Sequence, residues 1–162
     1  MTEPTVDPLT FRQLLGAFAS GVTVLTTRDP SGAPAGMTAS AFCSVSLEPP
    51  LVLVCVGHEA GFYDVLRASP GFGVNILAAG QAEISERFAG DWSRRFTGVA
   101  LAADEGDRPP LIGGVAAWLH CETVDILPAG DHAIFVARVL AGAVSDRPPL
   151  IHVRGAYREL AP

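Results

Sequence analysis

The chain has 162 residues, of which 49% are hydrophobic and 17% are charged, and its formal net charge is −6. This length predicts a single domain, residues 1–162, and the hydrophobic content excludes an intrinsically disordered chain. All eleven cationic residues are arginines; they form no basic stripe, so we expect no nucleic-acid partner. The mean hydropathy of +0.33 predicts more apolar surface than one small domain covers, and therefore an oligomer.

No segment predicts membrane insertion or export. The longest apolar run, from Leu51 to Val56, is far shorter than the roughly 20 residues of a membrane-spanning helix. The N-terminus has no basic segment followed by an apolar one, so we expect no signal peptide. The three cysteines form no C-x-x-C pair, which is typical of thiols in the cytoplasm. No ligand cluster predicts a metal site.

The N-terminal half alternates between helix and strand patterns. After a flexible N-terminus over residues 1–8, Asp7-Pro8 is typical of a helix start, and the apolar spacing predicts a helix that ends at Gly21. Strands are predicted over 22–27, 35–46 and 51–56, with a turn at 29–32. A helix over 59–69 ends at Pro70-Gly71.

The C-terminal half is mainly β-strand. The pattern predicts a strand over 72–77, a helix over 81–88 and a loop over 103–110. Two long strands, 115–127 and 132–143, are joined by a turn at 128–131, and a last strand covers 150–154. Mostly consecutive strands with three short helices predict an antiparallel barrel with helical insertions.

A row of hydroxyl side chains is the first candidate site. Thr38, Ser40, Ser44 and Ser46 are spaced two or four residues apart, which places them on one face of the predicted strand. Buried hydroxyl groups cost free energy unless they are hydrogen-bonded. Two partners remain open from this pattern, a bound polar ligand and the neighbouring backbone.

His132 and the cysteines have simple structural interpretations from the pattern alone. His132 follows Gly130-Asp131 at a predicted turn, which is typical of a surface histidine, with a functional role as the alternative. Cys43, Cys55 and Cys121 lie in apolar strand sequence, typical of small core residues rather than nucleophiles. No Gly-x-Ser-x-Gly or Gly-x-Gly-x-x-Gly motif is present at a suitable position.

Motifs along about nine tenths of the chain occur in a recognisable order and spacing. They include Gly36-Met37-Thr38, Arg87-Phe88-Ala89-Gly90 and Gly130-Asp131-His132, and in full they lie at 11–24, 36–38, 44–52, 72–77, 87–90, 117–121, 130–135 and 155–160. Together these segments make the chain similar to the short-chain flavin reductases. Members of that family are NAD(P)H:flavin oxidoreductases and serve as reductase components of two-component flavin monooxygenases.

The resemblance implies the fold, the reaction and the partners. The implied fold is a mainly β, antiparallel, Greek-key-like FMN-binding split barrel that forms a homodimer. The implied reaction is the reduction of FMN or FAD by NADH or NADPH, of the EC 1.5.1 type. The implied partner is a flavin-dependent monooxygenase that receives reduced flavin by diffusion.

The resemblance also implies the site residues. His132 would be the catalytic residue, placing the nicotinamide over the flavin. Tyr157 and Arg158 would contribute to the dinucleotide site. The flavin would contact residues on three segments: Thr38, Ala39, Ser40, Ala41, Ser44, Val45, Ser46, Cys55, Val56, Arg87 and Phe88.

Two other functions remain as alternatives. A split-barrel protein can store or sense flavin without turnover. An enzyme of this fold can also keep FMN tightly bound and reduce a different small molecule. Whether flavin behaves as a substrate or as a prosthetic group distinguishes these alternatives from a flavin reductase.

Overall fold

The computed structural model describes residues 5–104 and 106–160. In this part of the chain there are three α-helices, α1 (Pro8–Gly16), α2 (Tyr63–Ala68) and α3 (Ala82–Ala89), and a short 3₁₀ helix, Trp92–Arg94. The strands are β1 (Ser20–Gly21), β2 (Thr23–Arg28), β3 (Pro34–Ala39), β4 (Phe42–Ser46), β5 (Leu51–Gly57), β6 (Gly71–Ile76), β7 (Leu101–Ala103), β8 (Leu111–Ile112), β9 (Ala117–Ala129), β10 (His132–Val144), β11 (Ile151–Val153) and β12 (Ala156–Arg158).

Helix α1 begins as the sequence predicts. The Asp7 carboxylate accepts hydrogen bonds from the backbone N–H groups of Leu9 and Thr10, at 2.9 and 3.1 Å, and so caps the helix. This cap lies inside the segment 1–8 that was expected to be flexible; residues 1–4 lie outside the described residues. The helix ends at Gly16 and not at Gly21, because Ser20 and Gly21 pair with β11.

The apolar side chains of α1 are not covered by the rest of the chain. No residue of the helix is buried. Its backbone joins the barrel through the Gly16 carbonyl, which accepts from the Arg154 N–H at 2.7 Å. The apolar side chains of the helix and the residue that follows it are exposed: Leu9, Phe11, Leu14, Leu15 and Phe18.

Seven strands form one antiparallel sheet in the order β3-β2-β6-β9-β10-β5-β4. Strands β3 and β4 lie at opposite edges, although only Ser40 and Ala41 separate them in the chain. Such a link spans at most about 11 Å, so the two edges converge and the sheet rolls up. The edges do not pair with each other within the described strands, which leaves the barrel split. The prediction of a mainly β, antiparallel split barrel is confirmed.

The single strand predicted over 35–46 is wrong. The chain leaves one edge of the sheet at Ala39 and joins the opposite edge at Phe42. The four hydroxyl residues therefore do not share one face. Thr38 lies against α3, Ser40 lies in the exposed link, and Ser44 and Ser46 lie on β4.

The inner face of the rolled sheet forms the main core. Alternate residues of β5 point inward, which the burial of Val52, Val54 and Val56 shows. They pack with residues of β2, β3, β6, β9 and β10, while Phe62 and Leu66 add the buried face of α2. Fully burying one such side chain contributes roughly 1.5–3 kcal/mol, so this core holds the barrel together.

A second core lies outside the sheet. It contains Val24, Leu77, Phe88 and Ile112, so α3 and the segment before β9 pack on the outer face of β2 and β6. Asn75 fixes this layer, because its side chain donates to the Val24 carbonyl at 3.0 Å and accepts from the Ile112 N–H at 2.8 Å. The layer places α3 next to β3.

The long hairpin β9–β10 turns in two residues, Gly130 and Asp131. The predicted turn over 128–131 is too long, since Pro128 and Ala129 continue the strand pairing. Gly130 has φ +65°, a conformation that glycine adopts without strain. Strands β7, β8 and β12 lie outside the predicted strands. In the described residues, no helix is long and apolar enough to cross a membrane.

Candidate active site

A cavity of about 310 Å³ lies between β3, the start of α2 and the end of α3. We call it the α3 cavity. Two predicted site residues, Thr38 and Phe88, line it. The complete lining is Met37, Thr38, Ala60, Gly61, Phe62, Phe88, Ala89 and Arg95.

The close approach of α3 to β3 depends on Gly36. A Cβ atom at this position would lie 2.7 Å from the Leu25 carbonyl oxygen and 3.0 Å from the Phe88 ring. Phe88 is fully buried and packs edge-to-face on Phe96, with the ring centroids 4.9 Å apart. The absent side chain thus lets Phe88 form the floor of the cavity.

Ser85 joins two predicted site residues through α3. The Thr38 hydroxyl donates to the Ser85 carbonyl at 2.6 Å. The Tyr157 hydroxyl donates to the Ser85 Oγ at 2.8 Å, so β12 is tied to the same turn of the helix. Arg158, the next residue, is exposed and donates to the Tyr157 carbonyl at 3.1 Å. Tyr157 is therefore linked to the lining residue Thr38 through Ser85 by two hydrogen bonds, and Arg158 lies outside the cavity lining.

The link between β3 and β4 is exposed at its centre. The Ser40 carbonyl accepts from the Phe42 N–H at 2.9 Å, and the Ala41 carbonyl accepts from the Cys55 N–H at 3.0 Å. The second bond fixes the backbone of the link against β5. The Ser40 hydroxyl forms no hydrogen bond within the described residues, so it is available to a ligand.

The other two residues of the hydroxyl row, Ser44 and Ser46, lie on strand β4. A register shift between Ser44 and Ser46 leaves Val45 without a partner on β5. Val45 is 49% exposed, and Ser44 is exposed beside it. The predicted segment therefore lies at an open edge of the sheet.

Cys55 and Val56 point in opposite directions. Val56 is fully buried in the barrel core, so its side chain does not face a site outside the barrel. Cys55 is half-buried on the outer face. Burial, followed by the nearby Cys43, raises the pKa of the Cys55 thiol, which keeps it protonated near neutral pH.

His132 begins β10 and lies across Gly57 of the neighbouring strand. A Cβ atom on Gly57 would be 3.5 Å from the His132 Nε2. The His132 Nδ1 is 2.6 Å from the Asp131 carboxylate. The hydrogen bond from His132, with its charge, lowers the pKa of Asp131. Asp131 is thus an ionised acceptor that sets the orientation of the imidazole.

The structure brings the predicted residues together in two groups. Thr38, Phe88 and Tyr157 gather around α3. His132 and Cys55 share the outer face of β10 and β5, because His132 pairs with Gly57 and Ile134 pairs with Cys55. Ser40 and Ala41 connect the two groups, since they follow β3 and the Ala41 carbonyl accepts from Cys55 of β5.

A larger cavity of about 760 Å³ lies elsewhere and contains none of the predicted site residues. Its lining includes Arg28, Ser69, Arg108 and His120. Most of the Arg28 donors already bond within the chain, to the Arg108 and Gly32 carbonyls and the Asp104 carboxylate. We place the candidate site at the α3 cavity, because the predicted site residues Thr38 and Phe88 line it together with Arg95.

The residues described by the structure contain no group of three or more His, Cys, Asp or Glu side chains that could hold a metal ion. Sequence reasoning missed Arg95 and the segment Ala60–Phe62 in the cavity lining. Arg94-Arg95 is the one pair of adjacent cationic residues in the sequence. It follows Asp91, which caps the 3₁₀ helix by accepting from the Ser93 N–H at 3.0 Å. Asp91 was therefore the feature of the sequence that could have indicated an ordered segment before Arg95.

Comparison with known proteins assigns the chain to a family. The model of the flavin reductase like domain matches residues 15–161. The chain is 42% identical, over 97% of its length and 68% of the relative's, to the stachydrine N-demethylase reductase subunit of Rhizobium meliloti. It is 40% identical to the reductase component of the flavin-dependent trigonelline monooxygenase of Acinetobacter baylyi, over 90% of the chain. It spans only 47% of that relative.

A solved structure matches over nearly its whole length. The NADH:FAD oxidoreductase of Streptomyces globisporus C-1027, in complex with NAD and FAD fragments, superposes with a TM-score of 0.90. The sequences are 38% identical, and the match covers 98% of each chain. The family model and the fold agree with each other and with the resemblance seen in the sequence. The chain belongs to the flavin reductase like domain family.

Proposed function

We propose that the chain is an NADH-dependent flavin reductase that supplies reduced flavin to a separate flavin-dependent monooxygenase. The observation that carries this proposal is the α3 cavity, whose lining combines Phe88, Thr38 and the cation of Arg95 in a chain of this family. The names of the two curated relatives and of the solved oxidoreductase support the reaction class. Because some relatives are about twice as long as the chain, the activity is a proposal for this chain.

The residues present fit a flavin. Met37, with the buried Phe88 behind it, gives the cavity an apolar wall for a ring system, and Ser40, outside the lining, offers a hydroxyl without a partner in the described residues. Arg95 adds a positive charge for a phosphate. Thr38, Ala39, Ala41, Cys55 and the Ser44–Ser46 segment then extend the contact surface along β3, β4 and β5. Backbone amides and hydroxyls of this kind hold a polar ring without any ionisable catalyst.

The proposed mechanism depends on positioning. When bound, the flavin accepts hydride from the nicotinamide, and the cofactors supply the chemistry of that transfer. The protein holds two rings in contact, and orientation of this kind can lower a barrier by several kcal/mol. His132 faces outward on β10 and is oriented by Asp131, which supports a role for it in contacting the nicotinamide carboxamide. This hydride transfer needs no nucleophile or general base from the protein.

The test is a matrix of electron donors and acceptors. NADH and NADPH are each combined with FMN, FAD and riboflavin, and the loss of reduced-nicotinamide absorbance is followed. We expect faster turnover with NADH and a Michaelis constant for free flavin. Absence of turnover with all six pairs would contradict the proposal and favour flavin storage or sensing. Turnover that needs another small molecule, with flavin co-purifying, would identify the enzyme with fixed FMN.

We also propose that the chain forms a homodimer and that reduced flavin reaches the monooxygenase by diffusion. The exposed apolar side chains of α1 support the homodimer, since contiguous apolar surface of this kind is typical of interfaces. The EC 1.5.1 class follows from flavin reduction by NADH. The cytoplasmic location stays a prediction.

A further inference from the structure

The hydroxyl group of Tyr157 is hydrogen-bonded within the protein. It donates to the Ser85 Oγ at 2.8 Å. The Tyr157 ring packs on the outer core and meets the His152 ring edge-to-face, with the centroids 5.6 Å apart. Strand β12, which carries Tyr157, belongs to the three-stranded sheet β1-β11-β12 and not to the barrel sheet. The bond to Ser85 therefore joins this small sheet to helix α3.

Ser85 lies in the middle of α3 and is 1% exposed. A buried hydroxyl group costs free energy unless it is hydrogen-bonded, and Tyr157 provides that bond. A serine inside a helix can otherwise bond to the backbone of the preceding turn, which bends the helix. The bond from Tyr157 thus holds the Ser85 side chain and, with it, this turn of α3.

The backbone of the same residue orients a hydroxyl group in the α3 cavity. Thr38 lines the cavity, and its Oγ1 donates to the Ser85 carbonyl at 2.6 Å. A threonine hydroxyl has one proton to donate and two lone pairs that accept. Because the proton is used on α3, the Thr38 oxygen can only accept a hydrogen bond from a molecule in the cavity.

Two distant parts of the chain therefore meet at Ser85, from Thr38, 47 residues before it, and from Tyr157, 72 residues after it. Without the bond from Tyr157, this turn of α3 can shift relative to β3. The Thr38 hydroxyl would then be free to rotate, since a hydroxyl proton turns to suit its partners. A group that must be ordered when the ligand arrives binds more weakly than one that is already fixed.

We propose that Tyr157 is a positioning residue for the bound flavin, because it holds the Thr38 hydroxyl, through Ser85, as a hydrogen-bond acceptor in the cavity. This inference rests on the proposed function and adds a residue to its flavin site. The group that Thr38 recognises is an N–H or O–H donor of the flavin. Tyr157 then acts on flavin binding without touching the ligand, in contrast to the dinucleotide contact that the resemblance implies.

The experiment is a double-mutant cycle in which the dissociation constant of FMN is measured by quenching of flavin fluorescence. Thr38→Val retains the side-chain shape without the hydroxyl, and we expect it to weaken FMN binding about fivefold, the size of one hydrogen bond. Tyr157→Phe should weaken binding about threefold in the wild-type background and have no effect in the Thr38→Val background. Such a loss of effect would show that Tyr157 acts through Thr38.

The matched control is Tyr63→Phe. It removes the hydroxyl of the other tyrosine in the chain, which lies on α2 and does not line the cavity. It should change the dissociation constant of FMN by less than about twofold.

A second variant keeps the test usable if Thr38→Val does not fold. Ser85→Ala removes the group that Tyr157 holds, while the backbone carbonyl that accepts from Thr38 is retained. We expect Ser85→Ala to weaken FMN binding as much as Tyr157→Phe does, and the two changes together should have no larger effect than either alone. The KM for NADH should be unchanged in both variants.

Three results would overturn the inference. The first is an additive effect of Tyr157→Phe and Thr38→Val on FMN binding. The second is unchanged FMN binding with a lower midpoint of denaturant unfolding, which would make the bond to Ser85 structural only. The third is a raised KM for NADH with unchanged FMN affinity, which would place Tyr157 in the dinucleotide site. Failure of the proposed function is seen separately, as FMN binding without NADH oxidation, because the titrations contain no NADH.

Discussion

The imidazole of His132 is oriented on one side only. Asp131 holds Nδ1, and Nε2 lies over Gly57, which has no side chain of its own. We predict that His132→Ala raises the KM for NADH and lowers kcat, because a ring misplaced by about 1 Å can lose about 100-fold in rate. Flavin affinity should change by less than about tenfold. Steady-state kinetics and flavin titration on one purified variant check this.

Two results would contradict that assignment of His132. Unchanged kinetics would make it an exposed turn histidine. Loss of flavin binding alone would place it in the flavin site. Asp131→Asn is the companion variant, since it retains the side-chain shape while removing the charge that orients the imidazole.

The cysteines are predicted to be dispensable for turnover. Burial raises the pKa of the Cys121 thiol to about 12, so it carries almost no thiolate near pH 8. Cys43→Ser and Cys121→Ser should retain activity within about threefold, because hydride transfer needs no thiolate. A thiol reagent should modify the exposed Cys43 in the native protein and Cys121 only after unfolding. An inactive but folded Cys43→Ser variant would count against the mechanism.

At the scale of residues, the sequence was informative where the site is local. In the tripeptide Gly130-Asp131-His132, adjacent residues form the turn and orient the imidazole. His132 could therefore be identified from the sequence. Arg95 could not, because its bonds join Gly36 and Gly90, which lie 59 and 5 residues away. When distant carbonyls hold a cation in place, the sequence around that cation contains no pattern that reveals it.

At the scale of elements, the contact between β3 and α3 is sensitive to a single methyl group. We predict that Gly36→Ala destabilises the fold by roughly 1–3 kcal/mol, because its Cβ would overlap the Leu25 carbonyl and press on Phe88. Gly21→Ala is the control, since nothing lies within 4 Å of a Cβ there. It should change stability by less than about 0.5 kcal/mol. Denaturant unfolding of both variants measures the difference, and equal midpoints would refute the packing argument.

The apolar periodicity of the sequence predicts the middle of each element but not where some elements end. The cores of the strands and helices were predictable, because apolar alternation and helical spacing follow from burial on one face. The break after Ala39 was not, since Ser40 and Ala41 are ordinary strand residues without a glycine or proline. Closure of the sheet imposes that break. Similarly, α1 ends at Gly16 because Ser20 and Gly21 pair with β11, which lies far away in the sequence.

At the scale of the whole molecule, the apolar surface predicts association. We expect light scattering at micromolar concentration to report twice the chain mass of 16.9 kDa. The interface of such a dimer should bury about 1,200–2,000 Å² of surface. Leu14→Lys should shift the protein towards monomer, as Leu14 is 58% exposed on α1. Gln13→Lys adds the same charge at a polar position and should leave the mass unchanged. A wild-type mass of one chain would contradict the homodimer.

The weak attachment of α1 has a consequence for its dynamics. A helix without fully buried side chains gains little stability from the barrel, and short helices are marginal in water by themselves. In an isolated chain the amide hydrogens of α1 should therefore exchange with solvent long before those of β5 or β10. If α1 is covered on association, dilution of the protein should accelerate exchange in α1 and leave the rate in the barrel strands unchanged. The exchange rate of each amide in α1 would then measure the fraction of the protein that is assembled.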